Sequence, residues 1–375
     1  MSSAGAYDAV MAGLGKVEIE GFKSIRSATV ELERVNVLVG ANGSGKSNFL
    51  DALDLVGEMI NQHLGMAVGR AGGADRLLFN GAKVTERIRF DMSFGQNRYE
   101  AVLAPAAGGL LYFEKETCWG QGYKYSEPFR APLGVGHSES NLPAEAQDPS
   151  HTIAQWTLST MRQWRRFHFH DTSAAARVRQ PGPINDNRLL ERDGGNLAAF
   201  LFGLEQSRPA AYGRIVAAVR LAAPFFAEFL LAPDVNNENL IRLEWRATDS
   251  DAYADATSLS DGTLRFMCLV TLLLQPDPPS LIFIDEPELG LHPFAMVQLA
   301  DLVRAAPSET QLILSTQSTT LLNQFDVCDI VVVNRADGAS TFERLDAADL
   351  MGWLEDYAVG ELWEKNVLGG RPRHA

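Results

Sequence analysis

Residues 40–48 read G-A-N-G-S-G-K-S-N and match the pattern G-x-x-x-x-G-K-S in full. Each residue type has a reason for its place. Gly43 and Gly45 let the backbone curl until its N–H groups point inward at phosphate oxygens. Lys46 brings a full positive charge to β- and γ-phosphates, and Ser47 offers a hydroxyl to Mg²⁺. Asn42, Ser44 and Asn48 complete the predicted nucleotide-binding loop. The apolar run V-N-V-L-V precedes it, and Phe49, Leu50, Leu53, Val56 and Ile60 follow at helical spacing. Strand, loop and helix together are the context this pattern requires, and the helix start adds the positive end of its dipole.

A second stretch, residues 281–293, reads L-I-F-I-D-E-P-E-L-G-L-H-P. Four apolar residues end in two adjacent carboxylates at the tip of a predicted buried strand. Successive strand side chains point opposite ways, so the two acids are expected to do different jobs. Asp285 is predicted to hold Mg²⁺ through water, and Glu286 to polarise the attacking water as general base. A third stretch, S-L-S-D-G-T at residues 258–263, opens an apolar helix with Ser260 at the N-cap position and Gly262 in the first turn. Read alone, it is either an ordinary cap or an anion site.

The elements that must position these residues alternate along the chain. Residues 16–40 read as two half-exposed strands feeding a buried one, and three short alternating runs near 86–116 read as an antiparallel meander. Residues 131–150, rich in Pro, Gly and Ser, are expected to form a loop, and residues 151–232 to be mainly helical. From Ser258 onward helices and strands alternate, which implies a parallel sheet with right-handed crossovers. The expected division is a tail at 1–15, an ATPase lobe at 16–130, an inserted, mainly helical lobe at 131–254, and a C-terminal ATPase part at 255–375.

Composition narrows the partners. Forty-seven acidic residues against 33 basic ones leave a net charge of −14, so no global positive field holds nucleic acid. The three cysteines, Cys118, Cys268 and Cys328, fit no metal or disulfide spacing, and a reducing cytoplasm is the expected compartment. The start shows no signal peptide, and the longest apolar stretch, at 266–274, is too short to span a bilayer.

The order of the three motifs, with S-x-G about 25 residues before the acidic pair, resembles the ABC-type ATPase superfamily, and within it the RecF/SMC/OLD branch. I-E-G-F-K-S-I near the start, the loop, L-S-D-G-T and D-E-P-E-L-G-L-H-P carry that resemblance. It implies an α/β P-loop NTPase, a two-lobed ATPase head with an α-rich second lobe, using ATP and Mg²⁺. It also implies that Ser260, Asp261 and Gly262 act in trans, on ATP held by the loop and acids of a second copy. Asp261 departs from the glycine usual in transporter signatures. Gln317, in L-I-L-S-T-Q-S, stands where many relatives carry a histidine; an amide donates a hydrogen bond but carries no charge, so slow hydrolysis is expected. For the lid residue, Asn80 and Gln96 are the two candidates.

Other features divide between function and packing. R-Q-W-R-R-F-H-F-H-D (162–171) is the one basic, aromatic cluster, and Arg162, Arg165 and Arg166 could hold a DNA backbone or pair with carboxylates. His168, His170 and Asp171 lack an evident further ligand for a metal. Residues 221–231 show helical apolar spacing suited to core packing. The ending, E-L-W-E-K-N-V-L-G-G-R-P-R, carries an exposed-looking Trp363 and reads as a terminal helix capped by Gly369, or as a docking tail. It also resembles stand-alone ATPases of this branch, which often accompany a nuclease-like protein. The expected function is an ATP-driven switch that dimerises around ATP and serves DNA repair or antiphage defence, with any cutting done by a separate nuclease-like or TOPRIM-like partner. An ATP-holding scaffold and a transporter ATPase subunit are the alternatives.

Overall fold

The computed structural model describes residues 13–120 and 129–369, so the expected tail at 1–15 falls largely outside the described residues. The α/β expectation holds. Lys16–Phe22 and Ile25–Glu31 form a hairpin that joins Ile88–Phe94, Asn97–Ala106, Leu110–Gly120 and Phe129–Gly134 in a six-stranded antiparallel sheet. This is the meander read from the alternating runs, with one strand more. Phe129–Gly134 was expected to be loop from residue 131; it pairs with Leu110–Gly120 instead. Only Leu133 of its six residues is buried, and Pro132 is tolerated at a sheet edge, so the alternation that marks a strand is almost absent.

The second sheet carries the motifs. Its order is Ala339–Arg344, Ile330–Ala336, Val35–Val39, Gln311–Thr316, Leu281–Asp285 and Trp164–Phe167. All neighbours are parallel except the terminal hairpin of the first two. Alternation of side chains across this sheet feeds two cores. Val35, Val37, Val39, Ile282, Ile284, Leu312 and Leu314 face a cluster built with the helices Leu197–Ser207, Pro209–Ala222, Asp261–Leu274 and Pro293–Arg304. Leu38, Leu281, Phe283 and Ile313 face the other cluster, shared with the helix Lys46–Ile60 and the antiparallel sheet. Strands buried on both faces are mostly apolar, which is why V-N-V-L-V and L-I-F-I read as near-continuous runs; the exception, Asn36, is buried with its amide donating to Glu33 O and Leu312 O.

Trp164–Phe167 changes the expected domain plan. It pairs in parallel with Leu281–Asp285, Arg166 opposite Phe283, so the segment expected to form a separate lobe supplies a strand of the nucleotide-binding sheet. A four-residue strand with two arginines offers no apolar run to read; its pairing is decided by the neighbouring strand. Residues 221–231 also differ from the helical expectation. The helix ends at Ala222, Pro224 blocks its continuation, and Phe226–Leu230 forms a strand whose Phe226 and Phe229 are buried. Trp363, expected to be exposed, is 9% exposed and packs in the larger core from the helix Val359–Glu364. That helix ends before Lys365, while Gly369 adopts φ +77° in the turn beyond it. Residues 370–375 lie outside the described residues.

Candidate functional site

The phosphate loop connects Val35–Val39 to Lys46–Ile60. Gly43 and Gly45 both take positive φ, +77° and +117°. At Gly45 a Cβ would also stand 2.0 Å from Ser340 Oγ. The reason for that crowding is a brace: Ser340 Oγ donates to Ser44 O at 2.5 Å and lies 2.7 Å from Ser24 Oγ. The Asn48 amide donates to the same Ser24 hydroxyl at 2.7 Å, so this predicted nucleotide ligand braces the loop from behind. Asn42 and Ser47 are exposed at its open side.

Three observations fit a bound phosphate. The helix after the loop has no side-chain cap on its first turn. Ser44 Oγ is buried without a hydrogen-bond partner. Lys46 is buried, and its ammonium is turned onto the loop, donating to Gly40 O at 2.6 Å and Ala41 O at 3.2 Å. Burial pushes the Lys46 ammonium below its usual range, and the carboxylates of Glu286, Asp285 and Glu288 oppose that shift. Ser47 and Asp285 supply hard oxygen donors of the kind Mg²⁺ takes.

Asp285 ends its strand and accepts from Ser315 Oγ, while Arg166 Nη2 stands 3.5 Å from its other oxygen. Glu286 follows with φ +44°, a left-handed conformation that non-glycine residues rarely adopt, and its N–H donates to Ser315 O at 3.0 Å. The two acids do diverge as expected, but the divergence comes from this backbone turn rather than from strand alternation. The Glu286 carboxylate accepts from the side-chain amide of Gln317. The acidic strand and the switch strand Gln311–Thr316 are neighbours, which brings that pair together.

The signature segment begins the helix Asp261–Leu274 with Ser260 as N-cap, its Oγ accepting from Thr263 N at 3.2 Å. Asp261 accepts from Arg179 at 2.8 Å, and Arg179 also donates to the carbonyls of Ala256 and Leu259. The acid that departs from transporter signatures thus has a local partner. Gly262 meets the loop after the acidic strand: a Cβ there would lie 2.1 Å from Gly290 O. Arg265, one turn on, donates to Leu289 O at 2.9 Å and to His170 O at 2.7 Å.

The basic cluster is largely committed to this site. Arg166 pairs with Asp51 of the loop helix as well as with Asp285, and Asp51 also holds Lys23 at 2.6 Å. Arg165 donates to the carbonyls of Arg162 and Trp164. Of the two readings of this cluster, pairing with carboxylates is the one Arg166 follows, through Asp51 and Asp285. His170 Nε2 lies 2.8 Å from Asp285 O, and no group of three His, Cys, Asp or Glu residues suited to a metal occurs among the described residues. Asn80 and Gln96, the lid candidates, are both exposed, Gln96 in the turn between Ile88–Phe94 and Asn97–Ala106. Sequence reasoning missed Arg166, Arg179 and Glu288 as parts of the site. Glu288, in the same motif as Glu286, had a signal in its position, and Arg166 had one in the basic cluster whose pairing with carboxylates the sequence offered; Arg179 had none for Asp261.

The chain belongs to the AAA-domain ATPase family whose description also mentions an AbiEii toxin and a type IV TA system, matched over residues 130–323. Residues 13–86 match a further family described as an AAA ATPase domain. The fold is that of SMC heads. The SMC head bound to the C-terminal winged-helix domain of ScpA aligns at 17% identity and TM-score 0.61, over 90% of this chain and 100% of that one. The head with an extended coiled coil derived from Pyrococcus furiosus, bound to the C-terminal domain of ScpA, aligns at 16% identity and TM-score 0.58, over 92% and 99%. A head from Pyrococcus yayanosii aligns at 13% identity and TM-score 0.52, over 92% and 99%. No curated protein matches. Among the described residues no helix is long and apolar enough to cross a membrane.

Proposed function

We propose that this chain is a slow ATP-hydrolysing switch that closes head-to-head around ATP. The observation that carries the reading is the parallel pairing of Val35–Val39, Gln311–Thr316 and Leu281–Asp285, which puts the loop of Lys46, Gln317, and the Asp285–Glu286 pair at one end of the sheet. Loop N–H groups and Lys46 would hold the phosphates, and Ser47 and Asp285 would hold Mg²⁺, which neutralises charge on the β- and γ-oxygens. Glu286 takes the proton of the attacking water as its oxygen bonds to the γ-phosphorus and the bond to the β-phosphate oxygen breaks, leaving ADP and phosphate. Gln317 orients Glu286 and senses the γ-phosphate through its amide.

Closure around ATP would bring Ser260, Asp261 and Gly262 of a second copy to the far side of the γ-phosphate. The exposure of Ser260 supports this, since a helix start open to solvent can accept an anion from another chain. The output would pass to a separate effector, nuclease-like or TOPRIM-like, in repair or defence. The capture of ScpA by SMC heads is a precedent for a head that holds a partner protein. DNA is the weaker candidate as immediate target, because Arg166 is already paired with carboxylates.

The test is recovery of tagged Glu286→Gln protein from its native host with ATP and Mg²⁺, followed by mass spectrometry and sizing. A nucleotide-bound dimer with a stoichiometric nuclease-like protein is the expected result. A permease would move the chain to the transporter branch. Equal nucleotide release by wild type and variant would make it a scaffold.

A further inference from the structure

Glu288 stands two residues beyond Glu286 and is 9% exposed. Its Oε1 accepts from Thr316 Oγ1 at 2.5 Å and from Gln317 N at 3.1 Å, while Oε2 is buried with no hydrogen-bond partner. A buried, half-satisfied carboxylate costs stability, so its contribution must lie in what it holds. It holds the turn at the end of the switch strand. Thr316 Oγ1, which Glu288 engages, itself accepts from Ser318 N at 3.0 Å, so Thr316 and Gln317 are held by one carboxylate oxygen and Ser318 is linked to it through the Thr316 hydroxyl. The middle one, Gln317, turns its side-chain amide to Glu286.

We propose that Glu288 is a positioning residue for ATP hydrolysis, fixing the turn at Thr316 and Gln317 so that the Gln317 amide meets Glu286. The two hydrogen bonds on Oε1 restrain the Thr316 side chain and the Gln317 backbone together. The inference rests on the hydrolysis reading above, and it acts only through Gln317: without the Gln317 amide, the hold of Glu288 has nothing to deliver.

Four proteins test it: Glu288→Ala, Glu288→Gln, Gln317→Ala and the double variant Glu288→Ala/Gln317→Ala. Misplacing a catalytic group costs roughly tenfold to a hundredfold, so kcat of Glu288→Ala should fall in that range with KM and ATP affinity within about twofold. Glu288→Gln keeps a carbonyl oxygen for both donors and should recover most of the rate. The double variant should be no more than about twofold slower than Gln317→Ala alone, the sign of a shared pathway. Amide hydrogen exchange over residues 316–318 should quicken in Glu288→Ala and stay at the wild-type rate in Glu288→Gln. Multiplying rate losses, a loss confined to KM, or unchanged exchange would each overturn the proposal. A wild-type chain without turnover would sink the hydrolysis reading instead, and the exchange measurement would still decide whether Glu288 fixes Gln317.

Discussion

Arg166 and Asp285 face each other at 3.5 Å across the join between two parallel strands, and the same guanidinium reaches Asp51 on the helix after the phosphate loop. One cation therefore ties together the two elements to which the proposed function gives nucleotide and metal. Replacing it by alanine leaves Asp285 without that counter-charge. The partly buried charge so exposed should cost about 1–3 kcal/mol, a drop of a few degrees in melting temperature. Mg²⁺ with ATP should recover part of the loss, since a divalent cation beside Asp285 restores the missing charge. Melting Arg166→Ala with and without Mg²⁺-ATP checks this; an equal shift in both would show that Arg166 does not balance Asp285.

The catalytic assignments separate binding from turnover. Lys46→Ala should lose ATP binding, because no other described cation is turned onto the loop carbonyls at Gly40 and Ala41. Glu286→Gln should keep binding and lose turnover by about a hundredfold or more, the usual scale of a general base. Gln317→Ala should slow turnover and leave ATP affinity near wild type. Unchanged turnover in Gln317→Ala would remove its role.

The buried acid gives a pH signature of its own. Burial raises the Glu288 carboxyl above its usual range, against the hydrogen bonds from Thr316, its own backbone and Gln317 that lower it. The folded chain therefore binds this proton more tightly than the unfolded one. Its stabilising effect is complete below the unfolded value near 4.5 and is lost as pH rises through the raised folded value. Glu288→Gln cannot titrate, so at neutral pH it should be at least as stable as wild type, with the gap closing as pH falls toward 4.5. Denaturant titrations of both proteins from acid to neutral pH measure it; a gap that does not change with pH would contradict the burial argument.

Gly262 tests the contact between the signature helix and the acidic loop. Its φ is unremarkable; what excludes a side chain is Gly290 O, 2.1 Å from where a Cβ would stand. Gly262→Ala should cost about 1–3 kcal/mol by overpacking. The displaced loop also carries Glu286 and Glu288, so turnover should fall with it. A variant that melts like wild type would show that the loop can move aside freely.

Much of this was legible because it is local. The loop from Gly40 to Ser47, the strand that ends in Asp285 and Glu286, and the cap at Ser260 are each written in a few consecutive residues whose spacing obeys backbone geometry. Continuous apolar runs announced strands buried on both faces, and those strands form the sheet. The sequence alone thus determined the class of fold, the phosphate loop and the acids.

What it could not determine are relationships between residues on different elements of the fold. Arg166 read as a DNA contact or as a partner of carboxylates because its four-residue strand has no apolar pattern, and only pairing with Leu281–Asp285 carries it to Asp285. Trp363 looked exposed because its burial depends on a core assembled from the rest of the chain. Glu288 was not singled out at all; the neighbouring strand brings Thr316 and Gln317 to it. Strand order and loop packing are set by the summed burial of the whole chain rather than by any short segment, so tertiary structure alone decided which charges meet.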